Sequence, residues 1–361
     1  MSWGAGEGDI VDRVVCPQVY ECSQQNRFGN EDSDADTVKG VQLVNNLLRL
    51  MGRRLIALPI MVIGVTFLVF FLMSFSPIDP AYSALGENAT EEQLNAYREE
   101  NGLNNPWIVQ YGTFLLHLCQ GDLGTYGVGT TAVADRIATA LPITLQLTFI
   151  GLIIAVVIAV FLGVISAIYR DRWPDQIIRV FSIICIATPS FWLAVLLILL
   201  FSSTLHLLPA AGALPLISED PGGYFARMAM PAFALGVPVA GQLTRVIRTS
   251  MVEELDKDYV RTALGAGIPK RVVVGRNVLR NALITPVTVL GLRIGYLIGG
   301  AVVIEVIFNL PGMGMAIVQG VQGNYTTLVQ GVVLVVALTF IIINIIVDML
   351  YILIDPRIRT V

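Results

Sequence analysis

Few residues of this 361-residue chain have types and spacing suited to chemistry. Its thiols and imidazoles are Cys16, Cys22, Cys119 and Cys185 with His117 and His206. His117 and Cys119 are near enough to touch one metal, but two ligands do not close a tetrahedral site, so no metal centre is expected. Cys119 stands alone in its region, so no disulfide within the chain is expected there. The sequence has no H-E-x-x-H run to seat zinc beside a general base, and no G-x-x-x-x-G-K-[ST] loop to wrap phosphate oxygens in backbone amides. The glycine-rich GDLGTYGVGT follows no strand pattern and reads as a turn-rich approach to the next apolar run, not a nucleotide site. Catalysis is therefore not expected of this chain. What remains is a concentration of charge in residues 253–280, EELDKDYVRTALGAGIPKRVVVGRNVLR, between two long apolar blocks.

Those charges matter because the rest of the chain is so apolar. Hydrophobic residues make up 55% of it and charged ones 14%, with a mean hydropathy of +0.72, which places it in a membrane. A hydrocarbon core about 30 Å thick takes roughly 20 helical residues to cross. Five stretches suffice, at 55–75, 143–168, 177–201, 282–308 and 328–353. A sixth, 228–244, is shorter and interrupted by Pro231 and Pro238, and is read as a broken span. The fold class expected is all-α, a polytopic bundle of six transmembrane helices.

Lysine and arginine give the orientation, because positive residues in short loops stay cytoplasmic. Arg49, Arg53 and Arg54 precede the first span, Arg170 and Arg172 follow the second, eight basic residues lie from Arg245 to Arg280, and Arg357 and Arg359 follow the last. The opposite loops hold only Arg98, Arg136 and Arg227. Both termini and residues 253–280 are thus expected in the cytoplasm. The segment 76–141 is then the main outer region, with eight acids against two bases, suited to docking an external protein or simply to capping the spans. Within it, Thr90 and Gln93 predict a capped helix that Gly102 stops.

A cytoplasmic loop can be a mere connector, but EELDKDYVRTAL has helix formers and places Tyr259, Ala263 and Ala266 on one face. Gly265, Gly267 and Pro269 then predict a sharp turn back to the bilayer. A short helix with a small-residue face is shaped to seat in another protein's groove.

At DYVRTALGAGIPKRVVVGRNVLRNALITP the chain resembles the permeases of binding-protein-dependent ABC importers, in the dipeptide, oligopeptide and nickel branch. Arg261, Thr262 and Ala263 occupy the positions of that family's Glu-Ala-Ala triplet, departing at the first two, and Gly267 occupies its glycine. RRLIALPIMVIGVTFLVFFLMSFSPIDPAY, GLNNPWIVQYGTFLLHLCQGDLGTY, VIEVIFNLPGMG and IDPRIR are similar to further family segments, in the same order. The resemblance implies a type I importer fold in a bacterial inner membrane, with one chain forming half of a translocation path. It implies coupling to a cytoplasmic ATPase through Asp258, Tyr259, Arg261, Thr262, Ala263, Gly267, Ile268 and Pro269. The expected partners are a sibling permease, two ATPase subunits, an external solute-binding protein and membrane lipid, with no nucleic acid. This chain needs no cofactor of its own, since ATP and magnesium belong to the ATPases. Peptides are the expected solute; glutathione, nickel chelates and sugars are carried by relatives. A self-contained secondary transporter is the alternative, but it would show internal repeats and buried acids.

In the fifth span Gly291, Gly295 and Gly299 recur every four residues, a stripe that admits close helix approach, either within the chain or at the path and subunit interface. A charge at mid-membrane costs at least about 2.5–3.5 kcal/mol on insertion scales, so Arg293 is expected to face the path, to pair with an acid, or to snorkel. Glu305 and Asp348 lie nearer helix ends, where a structural role is favoured, although Glu305 is also a candidate for the path or interface. Residues 1–40 are expected to be disordered and to lack a secretory signal, and 41–54 to form an interfacial elbow helix.

Overall fold

A computed structural model describes Gly52, Ile56 and residues 58–75, 79–86, 89–127 and 131–354. The expectations for residues 1–40, for the elbow helix at 41–54 and for the basic residues at the C-terminus fall outside them.

The described chain is helical apart from one small hairpin. An apolar helix α1 (Leu58–Ser74) is followed by α2 (Pro80–Leu85), α3 (Glu91–Glu100) and α4 (Trp107–Cys119). Tyr111 of α4 donates its hydroxyl to the Ile63 carbonyl of α1 at 2.9 Å. Helix α3 begins with the expected capping box: the Thr90 hydroxyl accepts from the Gln93 N–H at 3.4 Å and the Gln93 side chain accepts from the Thr90 N–H at 2.9 Å. Asp79 caps α2 and also takes the Arg98 guanidinium, fastening α2 to α3. The stretch expected to be only turns holds β1 (Thr125–Tyr126), paired antiparallel with β2 (Thr131–Ala132). Gly124, just before β1, and Gly127, just after it, lie at φ of +77° and +74°, left-handed conformations that glycine adopts without steric cost.

The membrane-scale helices follow: α5 (Val133–Ile168), α6 (Trp173–Ala187), α7 (Ser190–Leu197), α8 (Pro221–Leu255), then three short helices α9 (Asp258–Gly265), α10 (Lys270–Val272) and α11 (Leu279–Ala282), and finally α12 (Ile284–Ile307), α13 (Met313–Gln322) and α14 (Thr326–Ile354). Four of these, α5, α8, α12 and α14, are long and apolar enough to cross a membrane, and α6 with α7 makes a fifth if the pair is one span.

Two expectations are corrected. The span expected as one run at 177–201 is bent by 101° between α6 and α7. Pro189 explains the bend, because it disfavours helical backbone at the residue before it, and Thr188 is extended at φ −85° and ψ 117°. The short, broken span at 228–244 is instead part of a single helix of 35 residues that runs straight through Pro231 and Pro238. Helix α8 sits at the centre: 72% of its most apolar stretch is buried, against 28% to 33% in α5, α12 and α14. Neighbouring helices hold it on most sides, and such support is what lets a membrane helix tolerate proline.

The tightest seam in this core is between α5 and α8. Gly151, Ala155, Ala159 and Gly163 recur every four residues on α5, as do Ala232, Gly236 and Ala240 on α8. A Cβ on Gly236 would come within 2.5 Å of the Gly151 carbonyl oxygen, and one on Gly163 within 2.7 Å of the Ile247 side chain. These small residues let the backbones approach where lipid supplies no hydrophobic drive between helices.

Candidate functional site

The polar segment 253–280 is built in three pieces. Glu253, Glu254 and Leu255 are the last turn of α8, not the start of a separate helix as the sequence suggested. The chain breaks at Asp256 and Lys257, where Lys257 is extended at φ −73° and ψ 149°. Asp258 then opens α9, its carboxylate in the first turn where the helix dipole favours an anion.

The end of α9 is a Schellman turn. The Gly267 N–H donates to the Leu264 carbonyl at 3.1 Å and the Ile268 N–H reaches back to Ala263 at 3.2 Å. Gly267 lies at φ +81° in open space, so the left-handed backbone, not crowding, requires the glycine. Pro269 follows as the N-cap of α10, and Val273, Val274 and Val278 of the next turn are buried in the bundle. The sharp return toward the bundle is therefore as the glycine and proline spacing predicts.

The face that α9 turns inward differs from expectation. Val260 is buried, and Tyr259 and Ala263 are half-buried against the bundle, so only Ala266 of the small-residue trio is exposed. The Tyr259 hydroxyl donates to Glu254 at 2.9 Å. Burial, and the neighbouring Glu254 carboxylate, push the tyrosine pKa up, which keeps it a donor. Lys257 pairs with the other Glu254 oxygen. This contact ties α9 to the end of α8 across the two-residue break. Facing outward are Asp258, Arg261, Thr262, Leu264, Gly267, Ile268 and Pro269, with Leu264 and Ile268 exposed by 42% and 39%. The inward turn arises because Tyr259 gains a buried partner that an isolated helix lacks.

Beside this segment lies a cluster that the sequence reading passed over. Asp175 of α6, wholly buried, accepts two hydrogen bonds from the Arg248 guanidinium of α8 at 2.7 Å each. Ser166 of α5 donates to it at 2.5 Å and the Asp171 N–H at 2.9 Å. Three helices and a loop thus converge on one carboxylate, and Arg170 of that loop pairs with Asp256 at the α8–α9 break at 2.8 Å. Asp175 and Arg248 are far apart in the sequence, and neither lies in a motif that names its partner.

The predicted path residues separate into three settings. A Cβ on Gly291 would come within 2.3 Å of Val347 and one on Gly295 within 2.5 Å of the Phe340 ring, so both glycines admit α14 of the same chain. Gly299 is exposed with open space beside it. Arg293 is half-buried and has no hydrogen-bond or ion-pair partner among the described residues.

Glu305 is fully buried and its carboxylate accepts the Gly314 N–H at 2.7 Å, in the first turn of α13. Gly312 passes so near that a Cβ there would lie 2.4 Å from the carboxyl carbon. Glu305 therefore caps α13 within its own chain and does not line an open surface. Arg227 of α8 makes a similar tie, donating to the Ala210 carbonyl at 2.6 Å and to the Phe308 carbonyl at the end of α12.

This architecture agrees with the comparisons to known proteins. Residues 159–360 match the family described as the binding-protein-dependent transport system inner membrane component, and residues 47–148 match the N-terminal model of the same components. A protein of Brucella abortus (strain 2308) named as a peptide transport system permease is 39% identical over 303 residues, covering 84% of this chain and 96% of that one. Its counterpart in Brucella suis biovar 1 (strain 1330) is 38% identical over the same length. A glutathione transport system permease of Salmonella typhimurium (strain LT2) is 36% identical over 313 residues, covering 87% and 99%. With family models over most of its length and relatives aligned nearly end to end, the chain belongs to the binding-protein-dependent transport system inner membrane components, as a multi-pass permease subunit of the ABC importer class.

Proposed function

We propose that this chain forms half of the translocation path of an ATP-driven importer of short peptides, with six spans and both termini on the cytoplasmic side. Helix α1 and the bent α6–α7 pair complete the six. A sibling permease supplies the other half of the path, two ATPase subunits bind beneath, and an external binding protein delivers the solute. The observation that carries the coupling role is the outward face of α9 and its Schellman turn: Leu264 and Ile268 stand exposed at the end of a helix that is itself fastened to α8 through Tyr259 and Glu254. A push on that face reaches α8, the central helix, through a hydrogen bond and an ion pair.

Peptide as solute is supported by the relatives named for peptide transport, and glutathione, itself a tripeptide, by the Salmonella relative. The test is uptake into proteoliposomes holding the complex purified through this chain, with its binding protein outside. ATP-dependent accumulation of labelled trialanine, competed by other short peptides, is the expected result. Accumulation driven by a proton or sodium gradient without ATP would overturn the reading in favour of a secondary transporter.

A further inference from the structure

Helix α8 has a second polar feature on the side turned away from its packed face. Leu243, Thr244, Ile247 and Met251 fill the packed side. On the other, a cleft of about 470 Å³ is lined by Gln242, Arg245, Val246, Thr249, Ser250 and Glu253, with Thr285 from the start of α12.

The charges in this cleft differ from their neighbours. Arg248 is committed to Asp175, and Glu254 to Lys257 and Tyr259. Arg245 and Glu253 are exposed, and neither side chain has a hydrogen-bond or ion-pair partner among the described residues; the Thr249 hydroxyl donates to the Arg245 carbonyl at 3.0 Å. Along this stretch of α8 the fold thus pairs the less exposed cation and anion and leaves one of each sign facing the cleft. Eight residues separate these two, about 12 Å along the axis at about 1.5 Å rise per residue. Both lie on one side of the helix, about 80° apart around it at about 3.6 residues per turn.

An extended peptide covers about 3.3–3.6 Å per residue, so about 12 Å matches the distance between the two ends of a three- or four-residue chain. We infer that the cleft is a binding site for short zwitterionic peptides, with Arg245 taking the terminal carboxylate and Glu253 the terminal ammonium. Gln242, Ser250 and Thr285 offer donors and acceptors to the peptide amides between, and Thr249, whose hydroxyl donates to the Arg245 carbonyl, offers an acceptor. A guanidinium can grip a carboxylate with two parallel hydrogen bonds, which fixes the direction of the peptide along α8. Both end contacts are hydrated and therefore weak, so the solute is oriented and then released. This inference rests on the peptide reading above and assigns that solute a place and a polarity.

The test is protection of a cysteine in the middle of the cleft. Thr249→Cys is introduced with Cys119→Ser, and the assembled complex, without binding protein, is labelled with a maleimide; the Cys119→Ser chain alone gives the background. Trialanine at millimolar concentration is expected to slow labelling at position 249 by roughly fivefold, as for a site largely occupied above its Kd. N-acetyl-trialanine amide, which has neither end charge, is expected to give no protection, and Arg245→Gln or Glu253→Gln to abolish that by trialanine. Labelling unaffected by trialanine, or protection that survives in the Arg245→Gln/Glu253→Gln double variant, would overturn the site. Absence of ATP-driven uptake by the parent complex is a separate result, and it would remove the peptide reading whatever the labelling shows.

Discussion

The two ends of the helical bundle hold their buried charges in different ways. At the α9 end, Asp175 meets another side-chain charge, Arg248, across two helices. At the α13 end, Glu305 and Arg227 meet backbone: Glu305 the first turn of α13, and Arg227 the carbonyl at the end of α12. Helix termini carry partial charges of fixed sign, so the second arrangement is set by the helices themselves. A side-chain pair depends instead on two long residues keeping one geometry, and fails as a unit when either leaves. The contrast suits a molecule braced at the α13 end and jointed at the other, where α9 hangs from α8 by Glu254.

If that comparison holds, its largest consequence is at Asp175. Replacing it with alanine strands the Arg248 guanidinium and two further donors, so Asp175→Ala is expected to destabilise the chain by about 3–5 kcal/mol, read as a lowered midpoint of thermal unfolding in detergent. Arg248→Lys should fall in the same direction but less far, because an ammonium keeps the charge without the two-pronged grip. At the opposite end, Arg227→Met leaves the buried Phe308 carbonyl short of a donor, at about 1–3 kcal/mol, and the half-buried Ala210 carbonyl at less. Glu305→Gln is the mildest of the buried changes: its side-chain oxygen still accepts from Gly314, and at most the attraction of the carboxylate to the helix terminus, up to about 2 kcal/mol in a buried setting, is lost. Arg261→Ala should leave the unfolding midpoint unchanged, since its nearest acid, Asp258, is 3.7 Å away and both are widely exposed. A drop after Glu305→Gln equal to that after Asp175→Ala would erase the distinction between the two ends.

Much of this organisation was legible in the sequence because it depends on local rules. Thr90, Gln93 and Gly102 announced α3, and Gly267 with Pro269 announced the turn after α9. Hydrophobic runs located α5, α12 and α14 because membrane helices of this length have few alternatives. Helix α8 was underestimated because its buried position tolerates Pro231 and Pro238 and gives a less apolar sequence than lipid contact would demand. The bend between α6 and α7 hung on Pro189, inside a run apolar enough to pass as one span. Among the candidate site residues, the stripe at Gly291 and Gly295 was visible but its partner, α14, was not. The pairing of Asp175 with Arg248, and the inward turn of Tyr259, are tertiary facts that no spacing along one helix encodes.

The central claim is that the outward face of α9 is where the energy source binds. It is tested most directly by purifying the tagged chain in gentle detergent, as wild type and with Leu264→Glu, and identifying what accompanies it. Leu264 is exposed, so the substitution should leave the unfolding midpoint unchanged; Ala263→Glu, at a half-buried site, should lower it. The account predicts that the wild type brings down ATPase subunits and a sibling permease, and that Leu264→Glu loses the ATPases while keeping the sibling. ATPases retained in full by Leu264→Glu and by Ile268→Glu, with transport intact, would contradict it.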